Sequence, residues 1–290
     1  MNRSKLISTT ALATVMSATA AHAELSLSGF YAATIADADG GVTHGTSTSS
    51  MYVTYTDTLD NGMGLTFNIS ASGAGHYTDV FIDTGMGTLG LGDGQDSSVD
   101  KTDGNPAINT LNKYGPRYNA TFNDGDASSG ASVMYTSPAV NGFTAKISRG
   151  MESATTDPVM SYAVTGSIAG LSLAAGVSSI DHLAAATADI DPSFVTASYS
   201  LGGINLGFAQ YDSDGASEET QFGASTSLGG YTVGVAFAEE DAATDTDYMH
   251  IGVIKSLGAL SYSVEYLETD VSGTATGDTD TWNFSYIVGF

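Results

Sequence analysis

The sequence predicts an all-β chain, a 16-stranded antiparallel transmembrane β-barrel. Three observations lead there. Apolar and polar residues alternate with period two in one segment after another. Short glycine-containing turns are interleaved with longer, acidic connections. Past residue 23 no run of ~18 apolar residues occurs, so only strands are left to cross a membrane.

The elements follow in chain order. Residues 1–23 read as a cleaved secretory signal peptide. Arg3 and Lys5 supply the positive start, "LISTTALATVMSATA" the weakly apolar middle, and Ala21-His22-Ala23 the small-residue cleavage site. The domain expected after cleavage is 24–290. Its strands are placed at 25–36, 49–58, 63–71, 76–83, 86–92, 131–137, 143–149 and 159–166. The remaining eight fall at 171–178, 193–200, 204–211, 219–227, 231–239, 246–255, 259–268 and 281–290. "YTVGVAFA" sets Tyr231, Val233, Val235 and Phe237 against Thr232, Gly234, Ala236 and Ala238. "ALSYSVEYL" sets Leu260, Tyr262, Val264 and Tyr266 against Ser261, Ser263 and Glu265. An even strand number suits a single-chain bacterial barrel, and 16 strands leave an aqueous lumen.

The polar faces carry Ser, Thr, Gly, Ala and Asn rather than long charged side chains. A soluble sheet exposed to water would need that shielding, so the polar face is expected to line the lumen. Rings near strand ends, among them Tyr31, Tyr52, Tyr55, Tyr162, Tyr199, Tyr211, Tyr231, Tyr248 and Trp282, suit the two bilayer interfaces. Acidic loops are expected at "DADGGVTHGTS", "DSDGASE", "EEDAATDT" and "TDVSGTATGD". The longest connection is 93–130, where Asn105 and Pro106 offer the cap and first residue of a short helix. The final strand ends on rings at even positions, expected to face lipid because it pairs with the first strand and closes the sheet.

Charge narrows the function. The 32 acidic residues outnumber the 8 basic ones, a formal net charge of −24, which excludes a nucleic-acid partner and favours cations near the protein. Disorder is excluded by 42% hydrophobic residues, with 15 Tyr and 11 Phe. Without cysteine, thiol nucleophiles and thiolate metal sites are also excluded. "GMGTLG" (85–90) matches a dinucleotide fingerprint, but a strand end and a loop follow it where a helix is required, so its glycines serve a turn. His44, His76, His182 and His250 lack metal-ligand spacing, and no G-x-S-x-G elbow occurs. The chain is therefore not read as an enzyme, and no cofactor is expected. Closely spaced carboxylates at Asp37 and Asp39, and at Asp212 and Asp214, resemble calcium loops without completing the twelve-residue pattern; structural Ca²⁺ is the one metal left open.

The hairpin signals carry a resemblance. "LSLSGFY" (25–31), "VFIDTGMGTLGLGDGQDSSVD" (80–100), "SVMYTSPAVNGFTAKIS" (132–148) and the terminal strand ending in Phe290 resemble segments of the 16-stranded trimeric porins of the alphaproteobacterial type. That resemblance implies a general diffusion porin in the outer membrane of a Gram-negative bacterium. Ions and small hydrophilic solutes would pass it down their gradients. It implies a homotrimer embedded in lipid and lipopolysaccharide, and an assembly signal at Tyr286, Val288 and Phe290 read by the outer-membrane assembly machinery. It also implies that the long third loop, about 93–130, folds inward as a constriction whose acidic side is drawn from Asp93, Asp96, Asp100 and Asp103. The basic side is thin. Lys113 and Arg117 lie in or near that loop, Lys146 faces the lumen by alternation, and Glu265 does the same as a hydrated wall residue. A cation preference follows as the expectation. The alternatives are a substrate-specific outer-membrane channel and a soluble exported calcium-binding β protein.

Overall fold

The computed structural model describes residues 23–38, 41–72, 75–92, 97–103, 132–150, 158–182, 188–215, 217–272 and 278–290, the side chains of 46–48 excepted. Alternation at period two gives each segment an apolar and a polar edge, and only a sheet places all of one kind on one side. The described chain forms β1 (Glu24–Ala38), β2 (Gly41–Thr58), β3 (Gly64–Ser72), β4 (Gly75–Asp83), β5 (Thr88–Gly92), β6 (Ser132–Thr136), β7 (Phe143–Gly150) and β8 (Val159–Ile168). It continues with β9 (Leu171–Ile180), β10 (Ser193–Leu201), β11 (Ile204–Asp212), β12 (Ser217–Leu228), β13 (Tyr231–Ala242), β14 (Thr246–Leu257), β15 (Leu260–Val271) and β16 (Thr279–Gly289). A single helical turn, α1 (Asp100–Asp103), lies between β5 and β6.

Every strand pairs antiparallel with its sequence neighbours, and β16 pairs with β1, so the sheet closes. The closing register runs from Phe30 opposite Gly289 to Ala38 opposite Thr281. Phe290 continues it by exchanging backbone hydrogen bonds with Gly29, at 3.1 and 3.0 Å. Four of the short connections turn in two residues, at 169–170, 202–203, 229–230 and 258–259. Gly202 and Gly203 (φ 59° and 88°) join β10 to β11, and Gly229 and Gly230 (φ 59° and 78°) join β12 to β13. Paired left-handed residues match the right-handed twist of hairpin strands, which is why these turns favour glycine.

Directly opposed residues of an antiparallel ladder share a face, so the register transmits inside and outside around the ring. Ser148, Ser161, Ser178, Gln221, Asn283 and Ser285 fall on one face and are buried. Phe222, Phe237 and Trp282 fall on the other and are 56, 51 and 55% exposed. A water-soluble sheet would show the reverse. Here polar residues point into the cylinder and apolar ones point outward, the arrangement that suits hydrocarbon outside and water within.

Two features depart from the sequence reading. β2 begins at Gly41 rather than 49, so the stretch written as an acidic loop is mostly ladder against β1. Likewise β12 starts at Ser217 and β13 runs to Ala242. Backbone pairing continues there although the side chains have become polar on both faces, which removes the alternation signal while leaving the hydrogen bonds intact. Second, Tyr52, Tyr211 and Tyr248 point inward, opposite Ser70, Glu219 and Ala238, rather than to bilayer interfaces. Tyr31, Tyr162, Tyr199, Tyr231 and Trp282 do face outward, exposed by 37–55%. Among the described residues the one helix is α1; the helix expected at Asn105 and Pro106 lies outside the described residues.

The seam is tight. A Cβ on Gly29 would lie 2.5 Å from the Phe290 ring and 2.7 Å from the Ser50 carbonyl oxygen. A Gly29→Val variant is therefore expected to lose about 1–3 kcal/mol by overpacking. Heat-modifiable electrophoretic mobility checks this, with the folded band converting at lower temperature than wild type; coincident curves would contradict the seam geometry.

Candidate functional site

Inside the cylinder the chain after β5 turns onto the wall. Ser97, Ser98 and Val99 are almost wholly buried, and Val99 packs on Phe194 of β10, Ala209 and Tyr211 of β11 and Ala174 of β9. Gly176 makes room: a Cβ there would sit 2.6 Å from Phe194 and 3.0 Å from Val99. The Ser98 amide donates to Ser148 Oγ at 2.6 Å, and the Asp100 amide to Ser97 Oγ at 3.0 Å, which caps the helical turn. Lys146 Nζ donates to the Lys101 carbonyl oxygen at 2.7 Å. Residues 97–103 are thus held against the inner face of β7–β11 by one apolar anchor and two hydrogen bonds from β7.

This places part of the expected constriction. Asp100 and Asp103 sit in α1, inside the barrel. Asp93, Asp96, Lys113 and Arg117 lie outside the described residues. Lys146 does face inward, and its ammonium holds the α1 backbone.

Further round, polar groups join across strands. Glu219 and Glu240 are directly opposed on β12 and β13, 3 and 8% exposed. Gln221 Nε2 donates to Glu219 Oε1, and the Tyr248 hydroxyl donates to Glu240 Oε2 at 3.2 Å. Glu265 faces inward as alternation requires, but only 1% of it is exposed, so it is not the freely hydrated wall residue expected. It lies 3.2 Å from His250 Nε2. The sequence reading included Glu219 and Gln221 in a strand, 219–227, without singling them out, and ended the next strand at 239, one residue short of Glu240. Parity counted from the outward Phe222 and Phe237 turns Gln221, Glu219 and Glu240 inward, one, three and three residues away.

The remaining expected sites separate. Val288 faces outward, Tyr286 meets Tyr31 across the seam with ring centroids 6.2 Å apart, and Phe290 closes the ladder. Asp212 Oδ1 accepts the Asp214 amide at 2.8 Å, and Asp214 Oδ2 accepts the Asp191 amide at 2.7 Å, so backbone donors occupy these carboxylates. Asp37 is on β1 and Asp39 lies outside the described residues. Among the described residues no group of three or more His, Asp or Glu is arranged to hold a metal ion.

The His250–Glu265 pair generates a stability test. Removing one partner of a buried polar pair leaves the other unsatisfied, at about 1–3 kcal/mol. Glu265→Ala is expected to lower the unfolding free energy by that amount and Glu265→Gln by less, with a double-mutant cycle against His250→Ala returning coupling of about 0.5–3 kcal/mol. Additive effects would show that the two side chains do not interact.

Comparison with solved structures returns the same architecture. An anion-selective porin from Comamonas acidovorans superposes with a TM-score of 0.72 at 16% identity, covering 92% of this chain and 100% of its own. OmpT of Vibrio cholerae, in a trimer form, gives 0.69 at 13% identity, covering 93 and 100%. A triple variant of Rhodopseudomonas blastica porin gives 0.66 at 17% identity, covering 92 and 100%. At such identities the likeness shows the fold. No curated protein sequence matches. The sequence model of the Gram-negative porin family matches residues 8–289, nearly the whole chain. The chain belongs to the Gram-negative porin family: it is an outer-membrane β-barrel that passes small hydrophilic solutes and ions by diffusion.

Proposed function

We propose that this porin prefers cations, works as a homotrimer and is exported by cleavage after Ala23. The preference rests on one observation above all. Asp100 and Asp103 in α1 lie inside the barrel and Glu219, Glu240 and Glu265 belong to the inward face of the wall, so in this sector they outnumber the ammonium groups of Lys101 and Lys146 among the described residues. An excess of carboxylates in a narrow aqueous passage raises cation occupancy. The fold alone does not fix the sign of the preference, since the Comamonas porin of the same architecture is described as anion-selective. Trimerisation is supported by the trimer form of the Vibrio structure. The apolar outer belt, with Phe222, Phe237 and Trp282 exposed, argues against a soluble calcium-binding protein. The family membership favours a channel over an enzyme. Narrowing of the passage by 93–130 and recognition of Tyr286, Val288 and Phe290 by the assembly machinery complete the reading.

The test is the reversal potential of reconstituted protein under a KCl gradient. The sign carried by K⁺ is expected, and Asp100→Asn with Asp103→Asn is expected to weaken it. The preference should also shrink between 0.1 and 1 M salt, as the screening length falls from about 10 to about 3 Å. A reversal potential of the sign carried by Cl⁻ contradicts the proposal.

A further inference from the structure

Two faces of the same lumen treat aromatic rings differently. On β10 and β11, Phe194 and Tyr211 are 2 and 1% exposed because Val99 covers them. On β2 and β4, Tyr52 and Tyr77 are 39 and 44% exposed although both point inward. The register leaves no doubt about their direction. Tyr52 opposes Ser70, Ser70 opposes Tyr77, and the same face continues through Asp79 opposite Gly92 and Gly92 opposite Ser132 to the buried Ser148 side of β7. A ring left in channel water gains little from burial, so packing does not account for its place.

The neighbours form a recess. Tyr52 and Tyr77 share one row on strands two apart, about 10 Å at ordinary strand spacing. Ser70 lies between them. In the adjacent row Phe30 opposes Ser50 and Ser50 opposes Ser72. Phe30 stacks on Tyr52, with ring centroids 6.4 Å apart and planes 26° apart. The result is a shallow trough with aromatic sides and a floor of three serines. No charged side chain stands in either row between Phe30 and Tyr77.

We propose that this trough is a binding site for a saccharide unit in transit. A pyranose ring presents apolar C–H faces and a rim of hydroxyls. Aromatic faces offer the first a flat apolar partner, and serine hydroxyls, both donors and acceptors, meet the second. The inference rests on the porin reading, since the rings matter only if solute passes them.

Block of ion current by maltotriose, measured on full-length protein in planar bilayers, tests it. A saturable block is expected, with Tyr52→Ala and Tyr77→Ala raising the half-blocking concentration about tenfold each. Tyr52→Phe should stay near wild type, and Tyr199→Ala, which removes an outward ring, should leave the block unchanged. Matched heat-modifiable mobility confirms that each variant has folded. A non-saturating block equal to that of a polyethylene glycol of similar size overturns the proposal, as does a block indifferent to Tyr52 and Tyr77. Folded wild-type protein with no conductance at all would instead overturn the porin reading, and the saccharide site with it.

Discussion

Everything in this molecule depends on closure of the sheet. In hydrocarbon an unpaired backbone amide or carbonyl costs several kcal/mol, and an open sheet has a whole strand of them at each edge. Pairing β16 with β1 removes both edges at once. The last residue takes part, through the two hydrogen bonds between Phe290 and Gly29. This accounts for the apolar and aromatic residues that alternate through 281–290. The alternating polarity of each strand is the second consequence, because a closed sheet in a bilayer has hydrocarbon on one side and water on the other.

Closure also decides what can be used for transport. The inner face is a fixed array of small polar residues on a rigid wall, and α1 is docked onto one sector of it by Val99 and Lys146. That sector is filled, and its rings are buried. The sector formed by β1–β4 keeps its rings in the passage. One sector thus holds most of the inward carboxylates described and the other the exposed rings, a difference that follows from which residues the register turns inward.

Much of this was legible from the residues. "YTVGVAFA" and "ALSYSVEYL" state their two faces outright, because both neighbouring media act on every residue. The two-residue turns announce themselves by Gly202-Gly203 and Gly229-Gly230, where left-handed backbone is required. Legibility failed where only one medium acts. Above the membrane the ladder of β1 and β2 runs on to Ala38 and Gly41 with water on both sides, so composition there looks like loop. Glu240 was lost for that reason. Tyr52 was misassigned because a ring near a strand end signals an interface only if its parity agrees, and parity needs the register. The Lys146 and Glu265 partners, Lys101 and His250, are 45 and 15 residues away in sequence and could not be paired without the fold.

The central claim is that adjacent residues of one strand face two different solvents. The chain has no cysteine, so single cysteines report without background. Ile69 and Ser70 are neighbours in the middle of β3, both half-buried, and directed to opposite faces. Ile69→Cys and Ser70→Cys variants, reconstituted in bilayers, can be treated with a charged, membrane-impermeant thiol reagent. The account predicts that the cysteine at 70 is modified, with a drop in conductance, while the one at 69 is protected by lipid. Equal modification of both, or modification at 69 alone, would contradict it.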